Sequence, residues 1–221
     1  MSKDLKNIAG IYLILDRELA GERSYAEILE QCIPEGVKIV QLREKRLSAR
    51  EFIKLALEVK EICRKLGALL IINDRTDIAF ACDADGVHLG QDDLPVEYAR
   101  KILGKEKIIG ISAGNEKELD YALKQDVDYI SPGAVFGSKT KTDAGSPVGT
   151  GFVKKVLSAT DKPVIPIGGI NLENIDKLTS IGINKVAVIS ALLKAQNLQE
   201  YTRAMYRKLS NATKLKDGAQ G

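Results

Sequence analysis

The chain has 221 residues, of which 44% are apolar and 29% charged, and its 33 basic and 30 acidic side chains leave a formal charge of +3. That near balance is ordinary for a soluble globular protein and by itself offers no basic face for nucleic acid. No run of about 18 apolar residues is present to span a membrane. No apolar stretch with a cleavage site opens the chain. Cys32, Cys63 and Cys82 are odd in number and far apart, so a disulfide framework or zinc site is disfavoured and a cytoplasmic location with reduced thiols is expected. The length suits one large core, and residues 1–221 read as a single domain whose polar, glycine-ended tail frays after about residue 211.

A pattern repeats along the chain: a short β-branched run, a polar break, then a stretch of helical period. Strands are expected over 11–16, 37–44, 68–74, 86–90, 107–112, 129–136, 163–170 and 185–190. Helices are expected over 24–31, 48–66, 76–82, 95–103, 115–125, 151–159, 171–180 and 197–209. The clearest helix opens on a capping box, Ser48-x-x-Glu51, and Gly67 follows it as a C-cap. Strands that alternate with helices in this way imply parallel pairing through crossovers. The expected fold class is α/β, a single (β/α)8 TIM barrel, with an open doubly wound sheet as the rival. One long turn-rich stretch, 137–149, breaks the rhythm; such loops are uncommon unless functional or disordered.

In a barrel of this kind the chemistry sits at the C-terminal strand ends. The second strand reads VKIVQLREK, and alternation puts Val37, Ile39, Gln41, Arg43 and Lys45 on one face, with Val40 and Leu42 turned toward the helices. An inner face that begins apolar and ends polar and basic is read as ligand-binding. The third strand ends in Asn73-Asp74, and the fourth is followed by Gln91-Asp92-Asp93. Carboxylates on neighbouring strand ends, beside Arg43 and Lys45, suit Mg2+, which takes one or two carboxylates with phosphate and water oxygens. Helix capping is the competing role for Asp74 and for Asp92 or Asp93.

The fifth strand ends at Ser112, and the long loop carries Ser138, Lys139, Thr140 and Lys141. The seventh strand ends in Gly168-Gly169 and the eighth in Ser190, where this fold often binds phosphate through backbone N–H groups. His88 is the only histidine and lies mid-strand, which favours a packed, hydrogen-bonded role over that of a general base. There is no Ser/His/Asp set, no GxGxxG after the first strand and no P-loop. No lysine lies deep in an apolar strand to form a Schiff base, Lys38 near a strand's start being the one candidate. The remaining picture is two anion sites: one with a metal, Arg43, Lys45 and Lys141 for a diphosphate, the other at Gly168-Gly169 and Ser190 for a monophosphate. Two phosphorylated substrates in one barrel mouth suggest a transferase.

The segments VQLREK, IINDR, GVHLGQDD, GIS, SKTKTD, IPIGGI and VISAL, in this order, resemble the thiamine-phosphate synthase family from Ile11 to about Leu192. The resemblance implies an enzyme that joins 4-amino-5-hydroxymethyl-2-methylpyrimidine diphosphate to 4-methyl-5-(2-phosphoethyl)thiazole in its carboxylated form, releasing diphosphate with Mg2+ as cofactor. It implies small-molecule substrates, no nucleic acid or membrane partner, and room for a homo-oligomer. Carried over, the strip Gln41, Leu42, Arg43, Glu44 and Lys45 binds the pyrimidine diphosphate, with Asn73 beside it and with Ser112 and Lys141. Asp74 and Asp93 hold Mg2+. Ser138, Lys139 and Thr140 meet the thiazole phosphate, whose phosphate group rests on Gly169, Ile189 and Ser190. Arg43, Lys45 and Lys141 are the expected catalytic cations. The family usually has Pro-Thr where this chain has Gly137-Ser138, and often His where it has Gly114. A thiazole tautomerase, a non-catalytic phosphate-binding protein and a phosphosugar isomerase are the alternatives.

Overall fold

A computed structural model describes residue 5, residues 8–137 and residues 146–217, the last five of these by backbone alone. The strands are β1 (Gly10–Asp16), β2 (Val37–Arg43), β3 (Leu69–Asn73), β4 (Gly86–Leu89), β5 (Ile108–Ala113), β6 (Tyr129–Pro132) and β7 (Lys185–Val188). They form one parallel sheet in the order β6-β5-β4-β3-β2-β1-β7. The order climbs from β1 to β6 without reversal, so the sheet lacks the switch point of a doubly wound fold. The fold is α/β, with a seven-stranded parallel half-barrel.

The eighth regular strand expected over 163–170 does not form. Pro163 and Pro166 have no N–H to donate, so a continuous ladder cannot run there. The segment instead makes single parallel bridges, Ile130↔Val164 to one edge of the sheet and Ile167↔Ala187 to the other. The strand expected over 129–136 stops at Pro132 for a related reason, because Val135 and Phe136 turn their N–H groups to Ile167 and Gly168. The strand expected over 185–190 ends at Val188.

Helices connect the strands. They are α1 (Arg17–Ala20), α2 (Tyr25–Cys32), α3 (Ala49–Leu66), α4 (Thr76–Ala81), α5 (Val96–Leu103), α6 (Glu116–Leu123), α7 (Gly149–Ala159), α8 (Asp176–Thr179), α9 (Ser190–Leu193) and α10 (Leu198–Asp217). Ser24 and Ser48 both close full capping boxes, with Glu27 and Glu51, and Gly67 ends α3 in the left-handed region at φ 79°. The helix expected over 197–209 runs on to Asp217, since no glycine or proline interrupts residues 210–217. None of the helices is long and apolar enough to cross a membrane, among the described residues.

Alternation along the strands divides the core in two. Outward residues such as Leu13, Val40, Leu42, Leu70, Ile72 and Val87 pack against the helices. Inward residues Tyr12, Ile14, Ile39, Leu69, Ile71, Ile108, Tyr129, Ile165 and Ala187 pack together, with Leu5 beneath them. Lys185, which the sequence reading overlooked, is buried on this inner floor and donates from Nζ to the Leu5 carbonyl at 2.9 Å, far from the strand ends that carry the chemistry. Gly110 on β5 makes room for the inner layer: a Cβ there would lie 1.9 Å from Cζ of Tyr129. Gly110→Ala must therefore displace a buried ring, and overpacking of this kind costs about 1–3 kcal/mol. Urea unfolding measures it; an unchanged midpoint would mean that Tyr129 is not held there.

Candidate active site at the C-terminal strand ends

β2 delivers its polar end as alternation predicts. Gln41 is buried, and its Nε2 donates to the Tyr12 hydroxyl at 2.8 Å. Two residues on, Arg43 is partly exposed and its Nη1 pairs with Asp16 Oδ2 at 2.6 Å. Asp16 ends β1 directly opposite Arg43 in the register and was missed from sequence, although its place at a strand end was a signal. Lys45 lies just past β2 and pairs with Asp74. The outward members of the strip are engaged elsewhere. Leu42 is fully buried against the helices, which leaves only its backbone for a ligand. Glu44 accepts from the Tyr25 hydroxyl at 2.9 Å and so is tied to α2.

Asp74 follows β3 in the left-handed region, at φ 62°. The Arg75 N–H donates to the Asn73 carbonyl at 2.7 Å across Asp74, which makes a tight three-residue turn, and the Asp74 N–H donates to the His88 carbonyl at 2.8 Å. A non-glycine residue in that region is strained, and such strain gathers at functional sites. Asn73 itself is buried on the inner face, opposite His88. Asp93 accepts from the Gly90 N–H at 2.7 Å through Oδ2, which folds the loop after β4 back toward Asp74.

The capping alternative fails for both carboxylates. α4 has Arg75 at its N-cap and α5 has Pro95, and neither helix start receives a side-chain cap. Instead the Asp74 and Asp93 carboxyls face one another closely enough for each to shift the other's titration. Burial opposes charge on Asp74, but Lys45 and Asp93 outweigh it and hold its carboxyl below the ordinary range. Asp93 moves up, first through burial and then because it faces Asp74. The two carboxyls are thus pushed apart in titration, Asp74 down and Asp93 up, as like charges at close range are.

This donor set fits Mg2+. It is all oxygen, it is crowded with negative charge that a cation would relieve, and it sits beside cations that could hold a phosphate. Among the described residues no group of three or more His, Cys, Asp or Glu gathers for a metal, so substrate and water oxygens would have to complete the shell, which is how Mg2+ is usually held.

Ser112 ends the inner face of β5, half-buried, with its Oγ 2.9 Å from Nε2 of His88 and its carbonyl accepting from Gln91 Nε2 at 2.7 Å. His88 is buried and hydrogen-bonded through both ring nitrogens, as its mid-strand position suggested. Ser138, Lys139, Thr140 and Lys141 lie outside the described residues.

Across the mouth, Gly168 and Gly169 both have positive φ, 99° and 67°. A Cβ on Gly168 would lie 2.5 Å from the Ala134 Cα, and one on Gly169 would lie 2.2 Å from the Gly137 carbonyl oxygen. The bridge between Ile167 and Ala187 brings this pair alongside Val188 and Ile189, and Ser190 opens α9. The sequence reading thus has its residues in two groups. One spans the ends of β2 to β5, and the other sits where residues 168–169 meet residues 189–190.

A family model described as thiamine monophosphate synthase matches residues 11–192. A thiamine-phosphate synthase of Clostridium novyi is 46% identical over 195 residues, which cover 88% of this chain and 96% of that one. One of Methanobrevibacter smithii is 45% identical over 187 residues, 85% of this chain and 88% of the other. Among solved structures, a thiamine phosphate pyrophosphorylase from Pyrococcus furiosus superposes with a TM-score of 0.85 at 32% identity, covering 94% of this chain and 98% of its own.

Proposed function

The chain belongs to the thiamine monophosphate synthase family and is a transferase enzyme of thiamine biosynthesis; on that premise we propose that it joins 4-amino-5-hydroxymethyl-2-methylpyrimidine diphosphate to the carboxylated thiazole phosphate and releases diphosphate and carbon dioxide. The observation that carries this reading is the cluster of Arg43, Lys45, Asp74 and Asp93 on neighbouring strand ends, with both carboxylates free of helix capping. Such a cluster suits a diphosphate with a divalent cation and has no use in an isomerase that handles a monophosphate alone. The site is read as the mouth of a closed eightfold barrel, which the bridges of Val164 and Ile167 support.

In this reading the bond between the pyrimidine CH2 and the diphosphate oxygen breaks first, the thiazole nitrogen captures the resulting pyrimidine cation, and the thiazole carboxyl then leaves as carbon dioxide, its bonding pair passing into the ring. No strong base is needed. Bound Mg2+ would supply Lewis-acid neutralisation of the departing diphosphate, with Asp74 and Asp93 as its protein ligands. Arg43 and Lys45 stabilise the charge that develops on the leaving oxygens, and Lys141 is assigned the same task. Asn73, Gln41 and Ser112 hold the pyrimidine, while Gly169, Ile189 and Ser190 hold the thiazole phosphate so that nitrogen and carbon meet in line. Ser138, Lys139 and Thr140 are assigned contacts to the thiazole phosphate.

The test is a coupling assay with both substrates and Mg2+, with and without EDTA. Thiamine phosphate formation that EDTA abolishes is the expected result. Product that persists in EDTA would remove the metal from the mechanism, and no product would refute the substrate assignment.

A further inference from the structure

On the outer helix layer, Leu57 of α3, Phe80 of α4, and Tyr98 and Ile102 of α5 are exposed to 49%, 64%, 49% and 44%. α4 packs against both α3 and α5, so the three helices lie side by side. The four side chains share this row. On α3, Lys60 reaches across to the Cys82 carbonyl and to Asp83, just past α4, at 3.1 and 2.9 Å, and Leu57 lies three residues before it on the same side. Phe80 stands on the outer side of α4, opposite the buried Ile78 and Ala79. On α5, Val96, Ala99 and Leu103 face the core, while Arg100 reaches away from α4 to Asp128, which precedes β6, at 2.7 Å. With about 100° between successive residues, Tyr98 and Ile102 lie on the edge opposite Arg100, the edge toward α4. One apolar strip therefore crosses α3, α4 and α5.

Apolar side chains scattered singly over a surface are ordinary, but a strip shared by three helices marks an interaction surface. Its two rings alone leave roughly 200 Å2 uncovered, about a quarter of the ~800 Å2 that each partner contributes to a standard interface. The charges at its border say what fits. Glu97 and Lys101, one turn apart on α5, flank Tyr98 and Ile102 on the side away from α4. Lys101 leans over the Tyr98 ring, with Nζ 4.9 Å from its centroid. Neighbouring charges are matched inside the chain, Lys60 with Asp83 and Arg75 with Asp77. Glu97 and Lys101 form no ion pair among the described residues. A two-fold axis in the plane of a contact can run along α5 or across it. Along it, the two copies of α5 are parallel, and the charged row of one falls on the apolar row of the other. Across it, they are antiparallel: apolar row meets apolar row, and each Glu97 meets the partner's Lys101. Only the second arrangement sets opposite charges together and keeps the apolar strip free of them.

We propose that the strip of Leu57, Phe80, Tyr98 and Ile102 binds a second copy of this chain across a two-fold axis, with the two α5 helices antiparallel and Glu97 paired to the partner's Lys101. A second copy fits because one helix row carries both signs of charge in the order that an isologous contact requires. The strip faces outward from the helix layer, so the strand ends that carry Arg43 and Asp74 stay open on both copies. The dimer does not depend on which substrates the site takes.

Light scattering of the full chain on a size-exclusion column is expected to return twice the mass of one chain. A single-chain mass at the highest soluble concentration overturns the proposal and leaves the strip to a different protein. Phe80→Ala removes the most exposed ring and is expected to weaken the dimer at least about thirtyfold, the loss typical of a central aromatic anchor. A dimer that this variant leaves unchanged lies on another face. The charges test the arrangement. Glu97→Lys and Lys101→Glu each set like charges together at both ends of the contact, and each is expected to raise the dissociation constant about tenfold or more. Mixed with each other, these two variants should pair at close to the unaltered affinity, because the signs are then opposite at both contacts. Failure of the mixed pair to form overturns the antiparallel contact. All three positions are exposed, so the core is untouched, and far-UV circular dichroism of each variant should match that of the unaltered chain. The mass of the unaltered chain decides the matter even where a variant fails to fold.

Discussion

Arg43→Ala is expected to lower kcat/KM for thiamine phosphate formation by about 100-fold to 1000-fold, the range seen when a preorganised group that meets developing charge is removed. Arg43 stands at the end of β2 on the inner face, with its guanidinium anchored to Asp16 at 2.6 Å. That anchor spends only part of its donor capacity, since a guanidinium carries five N–H groups. In the proposed reaction the leaving diphosphate gains charge as the C–O bond breaks, so a cation fixed beside it contributes more in the transition state than in the bound substrate. The loss should accordingly appear in kcat as well as in KM. Removing Arg43 also leaves Asp16 without its partner and places an uncompensated negative charge near the leaving group. The double variant Asp16→Asn with Arg43→Ala should recover part of the activity, whereas Arg43→Lys should recover less than full activity because an ammonium cannot copy the planar fork. An Arg43→Ala enzyme with unchanged kcat/KM would remove Arg43 from the site.

The parts of this site that were legible in the sequence are those that depend on strand alternation and strand ends. Gln41, Arg43 and Lys45 could be placed on one face because side chains alternate with a period of two, and Asp74 and Asp93 because they follow short apolar runs. What alternation cannot supply is partnership across the barrel. Tyr12 and Tyr129 are 117 residues apart and meet only because β1 and β6 face each other across the interior. His88 could be recognised as a packed, hydrogen-bonded side chain, but not as the link between Tyr129 and Ser112.

The expected fold failed in detail where local chemistry overrode the pattern. Pro163 and Pro166 sit in a β-branched run that reads as a strand, yet each removes a donor, and the result is isolated bridges in place of a ladder. α1 and α9 are four residues each, too short to leave a helical period in the sequence. Ser190 consequently belongs to the start of α9 and not to the end of a strand, although it remains beside the Gly168-Gly169 turn.

The second large effect concerns the paired carboxylates. Asp93→Asn should raise the Mg2+ concentration for half-maximal activity by about tenfold or more, on the order of what losing one charged ligand costs a site with few protein ligands. The geometry makes the substitution informative. Asp93 accepts from the Gly90 N–H through one oxygen, an interaction that the Asn carbonyl can keep, so the loop after β4 should hold its shape. What the variant removes is the charge that faces Asp74. In the metal-free chain that charge is already a liability, since burial and the facing Asp74 both push the Asp93 carboxyl up. The variant should therefore be as stable as the unaltered chain without metal, or slightly more so, while losing affinity for the cation. Urea unfolding in EDTA and a Mg2+ titration of activity measure these two consequences separately. An identical titration would mean that Asp93 serves only the turn at Gly90, and a large loss of metal-free stability would mean that its charge is structural. The combination of unchanged stability and weakened Mg2+ dependence is the one expected of a carboxylate that the fold places for a cation and does not need for itself.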